Sequence, residues 1–113
     1  MKRGIDNAHH YLWGNGCDGW VLSHSPDLMV IQERMPPQTT ERRHYHSKAR
    51  QFFYVLEGEL TMELKGEHHL LTPRTSMEIE PGEAHQARNE SDKDTHFIVV
   101  SCPTTRGDRT EVP

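Results

Sequence analysis

The sequence predicts an all-β chain folded into one small barrel or sandwich. Short apolar segments alternate with a period of two, and Gly and Pro turns separate them at regular spacing. No long stretch keeps the 3.6-residue period of an amphipathic helix. The 113 residues suit one domain. The barrel is expected over about residues 20–102, followed by a polar tail over 103–113 that wraps the outside or frays.

In chain order, Trp20 to His24 and Leu28 to Glu33 read as strands joined by the turn Ser25-Pro26-Asp27. Met35-Pro36-Pro37 ends the second, because proline cannot donate to a central ladder. A short helical turn fits Ser47 to Arg50. Phe52 to Leu56 forms the next apolar block, closed by Glu57-Gly58. Leu60, Met62 and Leu64 then alternate with Thr61 and Glu63, the pattern of a half-buried strand. Lys65-Gly66 turns the chain into His68 to Thr72 as a hairpin partner. Strands follow at Thr75 to Ile79 and, after the turn Pro81-Gly82, at Ala84 to Arg88. Thr95 to Ser101 is the most apolar segment, and Phe97-Ile98-Val99-Val100 reads as buried on both faces.

Composition excludes several classes of partner. The hydrophobic fraction of 33% is lean, which an antiparallel barrel tolerates by keeping one face of each strand polar. The net charge of −4 and the lack of a Lys/Arg stripe argue against nucleic acid. No apolar run approaches the ~20 residues of a membrane span. No h-region follows Met1-Lys2-Arg3, so a cytoplasmic protein is expected. Cys17 and Cys102 lack a CxxC spacing and read as free thiols.

Histidine is over-represented, with nine residues, and its placement decides what that means. His44-Tyr45-His46 puts two imidazoles on one face of a strand, roughly 6.5–7 Å apart along the chain. Gln51 opens the next apolar strand, and its amide oxygen is a candidate third ligand. His85, after the Pro81-Gly82 turn, can supply another imidazole. By contrast, His9-His10 and His68-His69 are adjacent pairs whose members face opposite ways.

The spacing His44-x-His46-x4-Gln51-x6-Gly58, followed by Gly82-x2-His85-x3-Asn89, resembles the two motifs of the cupin family. The motifs cover residues 38–89, with a short segment, Glu59 to Pro73, between them. The resemblance implies a single-domain cupin, a jelly-roll β-barrel of the RmlC-like type. It also implies one divalent metal ion held by His44, His46, His85 and Gln51. This chain departs from the pattern at four places. Gln38 and Arg74 stand where each motif opens with glycine, Glu80 stands where the second has proline, and Gln51 replaces glutamate.

Three imidazoles and an amide oxygen are all neutral, so such a site leaves the full charge on the ion. That favours Lewis-acid chemistry and disfavours a trivalent state. Zinc, nickel, iron or copper suits an imidazole-rich site, and manganese is a further option. The leading expectation is isomerisation, hydration or lyase chemistry on a small sugar-like or carboxylate substrate. An iron-, nickel- or manganese-dependent dioxygenase and a non-catalytic ligand-binding or sensing module are the alternatives. Phe53, Val55 and Met35 are candidates for the pocket lining. Arg42, Arg43 and Arg50 read as solvated charge. Trp13, Trp20 and Tyr54 read as interface anchors, consistent with the homodimer that the resemblance implies.

Overall fold

The computed structural model describes all 113 residues. It contains twelve strands: β1 (His9–Trp13), β2 (Cys17–His24), β3 (Met29–Met35), β4 (Thr39–Thr40), β5 (His44–Tyr45), β6 (Arg50–Glu57), β7 (Leu60–Leu64), β8 (Glu67–Leu71), β9 (Ser76–Ile79), β10 (His85–Asn89), β11 (Thr95–Cys102) and β12 (Thr110–Glu111). They form two antiparallel sheets. One runs β1-β2-β3-β11-β6-β9; the other runs β12-β5-β10-β7-β8, with β4 also on β10. Strands distant in sequence, such as β3 and β11, pair directly, which gives a jelly-roll layout.

Period-two alternation decides what faces inward. On the larger sheet, register links Val21, Ile31, Val99, Phe53 and Met77 into one inner row. A second row links Met29, Ser101, Gln51 and Ile79. The core centres on Phe97, Met35, Val55, Leu60 and Met62, all fully buried.

Four expectations change. The barrel begins earlier than residue 20, because β1 pairs with β2 from His9↔Val21 to Trp13↔Cys17. The tail is tied down as β12 on β5. Ser47 to Arg50 forms no helical turn: Ser47 and Lys48 make a bend, and the amides of Ser47, Lys48 and Ala49 donate to the Asp108 carboxylate of the tail. β11 is buried on one face only: Phe97 and Val99 point into the core, while Ile98 and Val100 share the outer face with Phe52 and Tyr54. The apolar run reflects an apolar outer sheet surface, which sequence alone does not separate from a second buried face.

Trp20 and Tyr54 also lie on that outer face. Trp13 does not: its ring packs against the core and its Nε1 donates to the carbonyl of Asp18 at 3.0 Å. Both cysteines are free thiols. No helix is long and apolar enough to cross a membrane.

Candidate metal centre

His44 opens β5 and His85 opens β10, and the two are direct antiparallel partners. His46 lies two residues on, on the same face. The Pro81-Gly82 turn is fastened to it, since the Gly82 amide donates to the carbonyl of His46 at 2.7 Å. All three imidazoles are buried, at 3%, 5% and 0% exposure for His44, His46 and His85. Ring centroids lie 4.9 Å apart for His44–His46, 4.5 Å for His44–His85 and 5.8 Å for His46–His85. One nitrogen from each ring falls within 4.8 Å of the others, a spacing that could hold a metal ion.

Backbone carbonyls orient each ring. Nδ1 of His44 donates to the Arg42 carbonyl at 2.8 Å, Nδ1 of His46 to Asp108 at 2.5 Å, and Nδ1 of His85 to Glu83 at 3.0 Å. A carbonyl only accepts, so Nδ1 must carry the proton in all three, and each Nε2 presents a lone pair. Burial pushes the His44 imidazolium down to about 3 and His85 down to about 4, and it lowers His46 as well. The triad is therefore neutral at physiological pH, the form that binds metal.

Two buried side-chain atoms lack any partner, the Nε2 of His85 and the Oε1 of Gln51. An unpaired buried polar atom costs about 1–3 kcal/mol, so its presence calls for a reason. The Gln51 amide nitrogen donates to Ser101 Oγ at 3.1 Å, which turns its oxygen the other way. Neutral nitrogen donors with a free amide oxygen fit a divalent transition-metal ion.

His44, His46 and Gln51 line a cavity of about 410 Å³, and His85 lies fully buried behind it. Phe53 lines it and meets His85 edge-on at 6.1 Å. Met35 and Val55 do not line it; both are fully buried in the core. The reason is position along the strand: Gln51 and Phe53 are the first inward residues of β6, and Val55 lies one step deeper.

The cavity also holds residues that the sequence reading passed over: Tyr11, Glu33, Glu41, Arg106 and Arg109. Glu41 accepts from the Ala87 amide at 2.8 Å and lies 3.9 Å from His44 Nδ1. Burial pushes the Glu41 carboxyl up to about 7; for Glu33, burial and then the like charge of Glu41 push it up to about 8. Glu33 had a legible signal, since strand alternation places it among Met29, Ile31 and Met35 on the inner face of β3. Tyr11 and the tail arginines had none, because only the pairing of the two chain ends with the barrel brings them in.

Arg43 is not free charge: its Nε donates to buried Glu63 at 2.6 Å. Arg50 pairs outside with Glu78 at 2.5 Å and Glu80 at 3.3 Å. Exposed Arg42 lies 3.5 Å from Glu111.

Several solved structures share this fold. KdgF from Halomonas sp. is 23% identical over 91% of this chain and 94% of its own, with a TM-score of 0.83. A sugar phosphate isomerase of the cupin superfamily from Silicibacter pomeroyi is 24% identical over 92% and 76%, at 0.80. A predicted oxalate decarboxylase from Thermotoga maritima is 16% identical over 92% and 100%, at 0.84. At these identities the likeness shows the fold alone. A search of curated protein sequences finds no match. The sequence profile described as the cupin domain matches residues 31–101, which takes in both histidine motifs. With the histidine triad at the mouth of a two-sheet barrel and that match over most of its length, the chain belongs to the cupin family.

Proposed function

We propose that this cupin is a metal-dependent enzyme that isomerises, hydrates or cleaves a small sugar-like or carboxylate substrate. In this reading His44, His46, His85 and Gln51 hold one divalent ion. The observation that carries it is the cluster of three carbonyl-oriented imidazoles, two of which line one cavity together with Gln51, whose amide oxygen has no partner. Such a donor set carries no negative charge. A divalent ion bound there would supply Lewis-acid polarisation of a substrate oxygen.

The protein's own residues favour an anionic substrate. Arg106 and Arg109 reach the cavity from the tail, where a guanidinium can grip a carboxylate bidentately. Phe53, Val99 and Ile31 give the opposite wall an apolar face against which a sugar ring can rest. The sugar phosphate isomerase noted above shares the fold and suits this reading. The metal in this reading is zinc, nickel or iron, which imidazole donors suit, with manganese the weaker-binding option.

A homodimer and a cytoplasmic setting complete the proposal. The outer face of the larger sheet presents Trp20, Ile98, Val100, Phe52 and Tyr54, an apolar surface suited to a second copy. Two free thiols suit a reducing compartment.

The test is metal analysis of protein purified without added metal, followed by assay against uronates and their neutral sugar counterparts. About one equivalent of a single transition metal is expected, with turnover confined to the acids. Less than about a tenth of an equivalent, or full metal content in His46→Ala, would sink the site assignment. Gln51→Glu should retain metal and move the pH midpoint of the cobalt-loaded protein's visible spectrum upward. Oxygen uptake coupled to turnover would instead mark a dioxygenase.

A further inference from the structure

The inner face of β3 carries one acid among apolar neighbours. Glu33 makes no ion pair; its neighbour Arg34 points outward to Asp18 at 2.5 Å and Asp94 at 3.1 Å. A carboxyl enclosed without an ion-pair partner is costly, so a fold that keeps one needs a use for it.

Three strands cooperate to hold this group. Tyr11 of β1 pairs with Gly19 of β2, and Gly19 pairs with Glu33 of β3. A Cβ built on Gly19 would stand 2.3 Å from Tyr11 Cζ and 2.6 Å from its Oη. The hydroxyl end of the Tyr11 ring therefore lies against the bare glycine, on the strand between Tyr11 and Glu33, and Tyr11 lowers the proton affinity of the Glu33 carboxyl. Any larger residue at position 19 would push the ring away.

We propose that Glu33 is a catalytic acid of the cavity, set on the sheet opposite the histidine triad, and that Tyr11 is its positioning residue. This rests on reading the cavity as a catalytic metal site. In the step, the Oε–H bond of Glu33 breaks and its proton passes to an oxygen of the substrate. The bonding pair stays on the carboxylate, which the Tyr11 hydroxyl and the nearby Arg109 guanidinium stabilise. A proton from water restores the acid.

The surroundings of Glu33 favour the protonated form. Tyr11 faces it from β1, Glu41 from the β4–β5 connection, and Arg109 from the C-terminal segment. Gly19 and Phe97, its partners on β2 and β11, carry no charge. Burial and Glu41 raise its proton affinity, while Tyr11 and Arg109 lower it by less. A dication across the cavity lowers it further, so the test must use loaded protein.

The first readout needs no substrate. Infrared difference spectra of the zinc-loaded protein near pH 6 should show a protonated-carboxyl stretch that vanishes in Glu33→Gln. Tyr11→Phe and Gly19→Ala should keep that band and move its titration midpoint to higher pH, because the first removes the Tyr11 hydroxyl that favours the carboxylate and the second displaces it. The second readout uses any acid that turns over in the uronate panel. Glu33→Gln should lose about 10²-fold or more in kcat with metal content unchanged. Absence of the band in the wild-type protein, or a wild-type kcat in Glu33→Gln, would overturn the proposal. Failure of the wild-type protein to hold metal would instead sink the metal reading, and the infrared band of the metal-free protein would still report whether Glu33 is held as an acid.

Discussion

The main-chain carbonyl of Asp108 accepts the Nδ1 proton of His46 at 2.5 Å, so the C-terminal segment orients a candidate metal ligand 62 residues away. The same residue's carboxylate accepts from the amides of Ser47, Lys48 and Ala49 at 2.7, 3.1 and 3.0 Å. Burial raises the Asp108 carboxyl, but these three donors outweigh it and hold the group below its ordinary range. The tail is thus part of the site.

Asp108→Ala should therefore destabilise the fold by about 2 kcal/mol, since it removes charge-assisted bonds and leaves three amides to solvent. It should also weaken metal binding about 10-fold or more, because the support of a ligating ring is loosened. Thermal melts of metal-free protein and competition with a chelator measure the two effects separately. Unchanged metal affinity in a variant lacking residues 103–113 would remove the tail from the site.

Arg74 occupies a left-handed turn, with φ of 68°. Its amide donates to the Val55 carbonyl at 2.9 Å, which keeps the backbone there. A side chain in this region costs about 1–2 kcal/mol, partly offset by glycine's greater freedom when unfolded. Arg74→Gly should stabilise the protein by about 1 kcal/mol in urea unfolding. Gln38, with φ of 61°, should gain less on the same change, since its Nε2 donates to the carbonyls of Glu90 at 3.1 Å and Ser91 at 3.0 Å.

Arg43 protects Glu63, which is only 6% exposed and also accepts from the Gly66 amide at 3.1 Å. The Arg43 guanidinium holds the Glu63 carboxyl below its usual range. Arg43→Ala should cost about 2 kcal/mol at neutral pH, less than a fully buried pair because the arginine is partly solvated. A depressed carboxylate contributes stability above its unfolded pKa and loses it as pH falls through the folded value. The penalty should accordingly shrink in acid, and a penalty independent of pH would assign it to packing.

The metal-free protein should show opposed pH limbs. His44 and His85 fall from about 6.5 to about 3 and about 4, so the unfolded chain binds more protons between those values. Stability due to them is complete above about pH 6.5 and is lost as pH falls toward 3. Glu33 rises from 4.5 to about 8, so its contribution is present below about 4.5 and is lost as pH rises through 8. Glu33→Gln should thus raise the Tm at pH 8 by several degrees more than at pH 5. Scanning calorimetry across pH 4–9 checks both signs.

The sequence by itself determined the class, the family and the triad. Local chemistry carries those signals: period-two alternation sets which side chains share a face, and the His44-x-His46 and Gly82-x2-His85 spacings sit inside single strands and turns. Even the departures from the motifs were informative, since Gln38 and Arg74 do hold left-handed turns without glycine.

Everything that depends on register between distant strands was decided by the tertiary structure. The three-residue row from Tyr11 through Gly19 to Glu33 exists only because β1 pairs with β2 and β2 with β3 in one alignment. Arg106 and Arg109 reach the cavity only because Asp108 fastens the tail against His46. A one-residue slip in any pairing would turn these side chains to the other face, and no local pattern encodes that alignment.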